Sequence, residues 1–196
     1  MRKLDPIKHE GKRQEIIAAA MRCFIRDGFR GASTSDICAE SRISPGNLYH
    51  YFESKEAILK TAGEVALAAA AVRFRRILEG PDVISALISE IEQAKSRIER
   101  GGRLLLLDIF AESGRNPAIA QILHEASRTI IGLIAEFVRR GQAQGKVNKD
   151  LDPDVTASVL LGIADGARLM SMREPKLDTA KSLEYLKLVV IRFLTP

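Results

Sequence analysis

The chain has 196 residues, of which 46% are hydrophobic and 28% are charged, and its formal net charge is +5. This mild positive charge allows an anionic partner but does not require one. The 2 cysteines, Cys23 and Cys38, exclude a disulfide-built scaffold and show no zinc-site pattern. Residues 1–11 lack the apolar stretch of a secretory signal, and no apolar run approaches the roughly 20 residues of a membrane span. We therefore expect a soluble, cytoplasmic globular protein with no membrane partner.

Apolar residues recur at helical spacing along most of the chain. In the first predicted helix they form one face, made of Ile16, Ile17, Ala20, Met21, Phe24 and Ile25. Asp27-Gly28 ends this helix, because glycine suits a left-handed cap. No alternation of apolar and polar residues is long enough to predict a strand. The chain is therefore predicted to be all-α, with about nine helices.

Two short helices are predicted to follow the first. Ser33-Thr34-Ser35-Asp36 has the pattern of a capping box, which would begin the first of the two. Ser44 can cap the second, and Pro45 suits its first position, where the missing N–H costs nothing. Residues 40–43 between them allow only a tight turn. Two short helices joined in this way form a helix-turn-helix.

Glycine and proline divide the rest of the chain. A fourth helix is predicted from Ser54 toward Leu78, and Gly80-Pro81 marks the point where a helical body begins. The further predicted helices lie near 82–100, 103–113, 117–143, 153–172 and 178–194. The sequence thus predicts a head over residues 1–53 and a body over residues 54–196, with 54–79 as a connecting helix.

The helix that follows Ser44 has the character of a DNA-reading helix. Small residues in its first turn, Gly46 among them, allow its N-terminal end to enter a major groove deeply. The Asn47 amide can bond adenine, and His50 offers a ring nitrogen to a base edge. The Tyr49 side chain is long and ends in a hydroxyl, which suits a phosphate. These side chains predict contact with double-stranded DNA.

Thr34 and Lys55 lie at the N-termini of the two neighbouring helices. Free backbone amides, the helix dipole and a polar or basic side chain together form a site for an anion. Such sites on either side of the reading helix can bind the phosphate backbone.

Residues 12–60 resemble the DNA-binding motif of the TetR family of transcriptional regulators. The family pattern L-Y-x-[HY]-F-x-x-K-x-x-L appears here as Leu48-Tyr49-His50-Tyr51-Phe52-Glu53-Ser54-Lys55-Glu56-Ala57-Ile58. The upstream T-x-x-I-A element appears as Thr34-Ser35-Asp36-Ile37-Cys38, with cysteine in place of alanine. The resemblance implies a helix-turn-helix DNA-binding domain in the head and a ligand-binding and dimerisation domain in the body.

The resemblance also implies roles for individual positions. Thr34, Tyr49 and Lys55 match phosphate contacts of the family, and four positions match residues that face the groove: Ser44, Gly46, Asn47 and His50. The basic arm matches N-terminal segments that touch the backbone or minor groove in some members, and it consists of Arg2, Lys3, Lys8, Lys12 and Arg13.

The turn of the motif departs from the family pattern. Ser41-Arg42 stands where the family usually has Ala-Gly. If the turn keeps a left-handed backbone, Arg42 costs on the order of 1 kcal/mol relative to glycine. The alternative is that Arg42 gains a phosphate contact in return.

The last two predicted helices are apolar on more than one face, so both sides of each must be covered. In a chain of this size a second copy is expected to supply the cover, as in the family's four-helix dimer interface. The alternative is that these helices only complete the monomer core. The residues predicted at the interface are Val159, Ile163, Ala167, Leu186, Val190 and Phe193.

The resemblance places a ligand pocket among the middle helices of the body. The residues that can line it are polar groups set among apolar ones, with two apolar side chains as walls. They are Asp108, Phe110, Glu112, His124, Arg128, Asp165 and Met170. A buried carboxylate at Asp108 would need a partner or a cation. The residues leave the ligand's chemistry open.

These features predict a homodimeric TetR-like repressor that a small-molecule effector releases from an inverted-repeat operator. Control by activation and a helical adaptor that binds protein are the alternatives. An enzyme is not expected, because the sequence has no G-x-x-x-x-G-K-[ST] or H-E-x-x-H motif and its 3 histidines are far apart. No catalytic residue, cofactor or metal site is predicted.

Overall fold

The computed structural model describes residues 6–79, 89, 102–174 and 176–196. Regular structure in these residues is entirely helical, which confirms the predicted all-α fold. The 8 helices described are α1 (Pro6–Gly31), α2 (Thr34–Ser41), α3 (Pro45–Tyr51), α4 (Lys55–Glu79), α5 (Gly102–Ser113), α6 (Pro117–Ala143), α7 (Pro153–Arg173) and α8 (Thr179–Leu194). The further helix predicted near 82–100 lies, except for Ser89, outside the described residues. None of the described helices has the length and apolar character that crossing a bilayer requires.

The described residues form two compact units. The first contains residues 6–66 and 102–126, and the second contains residues 67–79, 89, 127–174 and 176–196. The division falls inside α4 and α6.

The core of the first unit is built on the apolar face of α1. Phe24 is fully buried, and its ring centroid lies 5.2 Å from that of Phe29. The other buried members are Ile16, Ile17, Ala20, Cys23, Ala32, Ile37, Cys38, Leu48, Phe52, Ile58, Leu59, Leu105 and Ile119. The predicted face of the first helix is therefore confirmed, and α2 to α6 all contribute side chains to the core that it begins.

The core of the second unit joins α6, α7 and α8. Phe137 and Val138 of α6 are fully buried among residues that include Leu160 and Leu194. The segment after α6 is held to the end of α8, because the Asn148 N–H donates to the Leu194 carbonyl over 2.8 Å. This unit therefore completes a hydrophobic core of its own.

Local capping begins the two short helices, as the sequence predicts. The Ser33 hydroxyl accepts from the Asp36 N–H at 3.1 Å, and the Asp36 carboxylate accepts from the Ser33 N–H at 2.8 Å. The Ser33 hydroxyl also donates to the Asp36 carboxylate at 2.5 Å. This bond first, and the bond from the Ser33 N–H second, hold the pKa of Asp36 below its ordinary value. Ser44 accepts from the Asn47 N–H at 3.3 Å in the same way.

Gly28 interrupts α1 with a backbone that is not helical. Its φ is 74° and its ψ is 162°, in a region that essentially only glycine adopts. The φ is positive, as a glycine cap predicts, but the ψ lies outside the left-handed helical region predicted for it from the sequence. Helical residues resume after it as far as Gly31, so the chain turns here without leaving the first unit.

Gly28→Ala should lower the free energy of unfolding by about 2 kcal/mol, because alanine is strained at this φ and ψ. The new Cβ would also lie 3.2 Å from Oδ2 of Asp108. Urea unfolding followed by circular dichroism measures the change. Gly46→Ala is the control, and its free energy of unfolding is likewise measured without DNA. A Cβ at Gly46 meets no atom of the described residues within 4 Å. An equal effect at both glycines would contradict the prediction.

Candidate nucleic-acid interface

The first turn of α3 presents small residues to solvent. Pro45, Gly46 and Asn47 are all exposed. The Ser44 hydroxyl accepts the hydrogen bond of the Asn47 backbone N–H, and the Asn47 side chain stays exposed to solvent. This end of α3 is therefore narrow enough to approach another surface closely.

The rest of α3 divides into an exposed side and a packed side. Tyr49 is 57% exposed, and His50 is exposed beside it. Leu48 and Phe52 are buried in the core, and Tyr51 is packed against it. The side chains that remain outside are those predicted to contact DNA.

Arg42 occupies the turn between α2 and α3 with a left-handed backbone, φ 55° and ψ 47°. Its N–H donates to the Ala39 and Cys38 carbonyls, which closes the end of α2. The side chain is exposed. A non-glycine residue in this conformation carries a backbone cost, so the turn is strained in the way that the sequence analysis anticipated.

The ammonium of Lys55 lies against the end of α1. Nζ donates to the Phe29 carbonyl at 3.0 Å and to the Ala32 carbonyl at 2.7 Å. It also stands 5.0 Å from the centroid of the Phe29 ring. Carbonyls at a helix C-terminus lack intrahelical partners and attract a cation, which accounts for this position. Lys55 therefore binds the protein's own backbone where the resemblance implied a phosphate.

Lys12 is also engaged inside the head. Its Nζ lies 2.8 Å from Oε2 of Glu15 and 3.4 Å from the Ser41 carbonyl. The second contact joins α1 to the C-terminal end of α2. Lys12 and Lys55 thus each bind the carbonyl end of a neighbouring helix. Thr34 is half-buried in the first turn of α2.

Aromatic and basic contacts that the sequence analysis missed join α1 to the end of α3. His9 stacks on Tyr51 with ring centroids 4.6 Å apart, and its ring centroid lies 6.0 Å from that of His50. Arg13 lies 4.9 Å from the Phe52 ring centroid and donates to the Thr61 hydroxyl at 3.3 Å. No local pattern signals these contacts, because the partners are far apart in the chain. Arg2 and Lys3 of the predicted arm lie outside the described residues.

The residues predicted to line a ligand pocket are distributed over both units. Asp108, Phe110, Glu112 and His124 belong to the first unit, and Arg128, Asp165 and Met170 belong to the second. Asp108 is half-buried, and its carboxylate accepts a hydrogen bond from the Phe29 N–H. Phe110, His124, Arg128 and Met170 are exposed, and Glu112 and Asp165 are half-buried.

The predicted interface residues differ in exposure. Val159 of α7 is exposed, whereas Val190 of α8 is only 5% exposed and belongs to the core of the second unit. The half-buried members are Ile163, Ala167, Leu186 and Phe193. Among the side chains that the structure describes on these two helices, the large apolar ones that are exposed are Val155, Val159, Met170, Tyr185, Leu188 and Val189. Val190 packs within its own chain, whereas its neighbours Leu188 and Val189 on α8 stay exposed.

Within the described ranges, no three histidine, cysteine, aspartate or glutamate side chains gather as a metal ion would require. Both cysteines are buried, and burial raises the pKa of each thiol. The exposed residues around α3 therefore remain the chemically distinctive surface of the first unit.

Comparisons with known proteins agree with this geometry. Residues 16–62 match the sequence model of bacterial regulatory proteins of the tetR family. Residues 94–191 match that of the BetI-type transcriptional repressor C-terminal domain. The transcriptional regulator UidR of Escherichia coli K12 is 34% identical over 154 residues, which are 79% of this chain and 78% of UidR. The chain belongs to the TetR family.

Solved structures of TetR-family regulators share the fold. Salmonella enterica GusR superposes with a TM-score of 0.78 at 29% identity, over 98% of this chain and 100% of GusR. Bacillus subtilis FadR, solved in complex with stearoyl-CoA, superposes with a TM-score of 0.79 at 18% identity, over 92% and 98% of the two chains. Regulators of the TetR family bind DNA. Because α2 and α3 lie within the matched residues 16–62, these two helices form the helix-turn-helix.

Proposed function

We propose that this TetR-family regulator is a homodimeric repressor that binds an inverted-repeat operator and is released by a small-molecule effector. The observation that carries the proposal is the exposed, narrow first turn of α3, followed by exposed Tyr49 and His50. Side chains at the N-terminal end of a recognition helix are the ones that reach base edges in a major groove.

The contacts with DNA divide into two classes. Asn47 and His50 bond base edges, while Ser44 and Gly46 allow the backbone of α3 to approach closely. Tyr49, Arg42 and Thr34 contact phosphates, which positions the head without reading the sequence. Lys55 and Lys12 act indirectly, through the helix ends that their ammonium groups bind.

The dimer forms through the exposed apolar faces of α7 and α8. Val155 and Val159 lie one turn apart on α7, and Tyr185, Leu188 and Val189 lie on one face of α8. An apolar face without cover is a typical interface for a second copy. A twofold dimer sets two α3 helices roughly 34–36 Å apart, or at a multiple of this distance, and therefore reads an inverted repeat.

Release requires a ligand that binds more tightly to the form that does not bind DNA. A hundredfold loss of operator affinity needs about 2.7 kcal/mol of coupling. The stearoyl-CoA bound to FadR supports a small molecule as the ligand. The match to the BetI-type repressor domain supports repression as the sign of control.

Selection from a randomised duplex pool tests this function. The full-length protein is mixed with the pool, and the enriched sequences are titrated at several salt concentrations. We expect an enriched inverted repeat, bound by two chains with a steep salt dependence. Weak binding without enrichment, lost at moderate salt, would contradict the proposal and favour a protein-binding adaptor.

Arg42→Gly should change stability and DNA binding in opposite directions. Removing the left-handed backbone cost should raise the free energy of unfolding by about 1 kcal/mol. Losing one phosphate contact should weaken binding to all duplexes and reduce the salt slope by about 1. Urea unfolding and operator titrations at several salt concentrations measure the two effects.

Arg42→Lys is the matched control, because lysine keeps the charge and the backbone cost. It should retain the salt slope and the stability of the original protein. If Arg42→Gly leaves the salt slope unchanged, Arg42 does not contact phosphate.

A further inference from the structure

The turn that joins α1 to α2 is held by a side chain from α5. The carboxylate of Asp108 accepts a hydrogen bond from the Phe29 N–H, although 79 positions separate the two residues. A Cβ built on Gly28 would lie 3.2 Å from the same Oδ2 atom of Asp108, so the carboxylate lies close to the backbone of Gly28 as well as to that of Phe29. A side chain at position 28 would therefore have to displace the Asp108 carboxylate slightly.

The same turn is held from its other side by α4. Phe29 donates its N–H to Asp108 and accepts at its carbonyl from Lys55, at 3.0 Å. Lys55 also binds the Ala32 carbonyl at 2.7 Å. The backbone of Phe29 is thus held at its N–H by the Asp108 carboxylate of α5 and at its carbonyl by the Lys55 ammonium of α4.

This segment leads directly into the DNA-binding motif. Ser33, the N-cap of α2, follows Ala32, and Thr34 begins the helix. The Ala32 N–H donates to the Gly28 carbonyl at 3.1 Å, so the segment turns within a few residues and transmits its position to α2. A shift of the Phe29 peptide would therefore move the N-terminal end of α2, where Thr34 is proposed to contact phosphate.

We propose that Asp108 is a positioning residue for operator binding, which sets the place of α2 by holding the Phe29 peptide. This inference rests on the proposed function and adds a residue of α5 to it. The role differs from ligand contact, because the carboxylate acts on the backbone of the head and not on an effector.

Two substitutions separate the hydrogen bond from the charge. Asp108→Ala removes the acceptor and should weaken binding to the enriched duplex about tenfold, the loss expected for one hydrogen bond to a charged group. The salt slope should not change, because no phosphate contact is lost. Asp108→Asn keeps a carbonyl acceptor for the Phe29 N–H and should bind within about threefold of the original protein.

Amide hydrogen exchange of Phe29, measured by NMR on the full chain without DNA, reads the contact directly. Exchange should be at least about tenfold faster in Asp108→Ala and nearly unchanged in Asp108→Asn. Arg115→Ala, an exposed substitution just after α5, should alter neither exchange nor binding. If Asp108→Ala does not fold, Asp108→Ser replaces it, since serine is too short to reach Phe29.

The outcomes separate this inference from the proposed function. Unaltered exchange at Phe29 or unaltered DNA affinity in Asp108→Ala would overturn the positioning role. Equal weakening by alanine and asparagine would overturn it too, because charge and not the hydrogen bond would then matter. If the original protein enriches no duplex, the proposed function fails while the exchange measurement still tests the contact.

Discussion

Val189→Glu is expected to convert the dimer into monomers and to lower operator affinity by about a hundredfold or more. Val189 is 54% exposed on α8, in the middle of the apolar face proposed to meet a second copy. A carboxylate buried there would have no partner of opposite charge and would oppose association. A monomer binds one half-site at a time, so it loses the increase in operator affinity that comes from linking two DNA-binding heads. Sedimentation and operator titration measure the two effects.

Val65→Glu on α4 provides the matched control, because Val65 is 48% exposed and the substitution is the same. It should leave the oligomeric state unchanged. Val155→Glu tests the α7 side of the same surface and should also separate the chains. A Val189→Glu protein that remains dimeric would exclude this face as the interface.

Phe24→Ala should lower the free energy of unfolding by about 4 kcal/mol, as typical for a buried phenylalanine. The Phe24 side chain is fully buried, and its ring packs against Phe29 next to the turn that leads into α2. The substitution leaves a cavity in the core that α1 to α6 share, which the surrounding helices can fill only in part. Urea unfolding followed by circular dichroism measures the loss.

Ile7→Ala is the control for this prediction. Ile7 lies on the same helix and is 84% exposed, so its truncation should change stability by only about 0.5 kcal/mol. Similar losses for the two substitutions would mean that the α1 face does not form the core of the first unit.

Features that depend on neighbours in the chain were predicted correctly from the sequence. The Ser33–Asp36 capping box and the Ser44 cap both involve contacts within a few residues. The buried face of α1 follows from helical periodicity, which fixes which side chains share a side. The motif around Tyr49 and Lys55 was specific enough to predict the TetR family.

Tertiary structure decided which group each charged side chain meets. Lys55 and Asp108 bind the Phe29 peptide across 26 and 79 positions, and no local pattern encodes either contact. For the cation at the start of α4, the sequence predicts an anion as partner, but the carbonyls at the end of α1 lie nearer. Lys12 and the Ser41 carbonyl show the same effect.

Packing also decided which side of α8 faces outward. Val189 and Val190 are consecutive, equally apolar and about 100° apart around the helix. One is 54% exposed and the other 5% exposed. The sequence by itself determined that α8 has too much apolar surface for one neighbour. Only the contacts with α6 and α7 determined which part of that surface the chain buries itself and which part stays exposed.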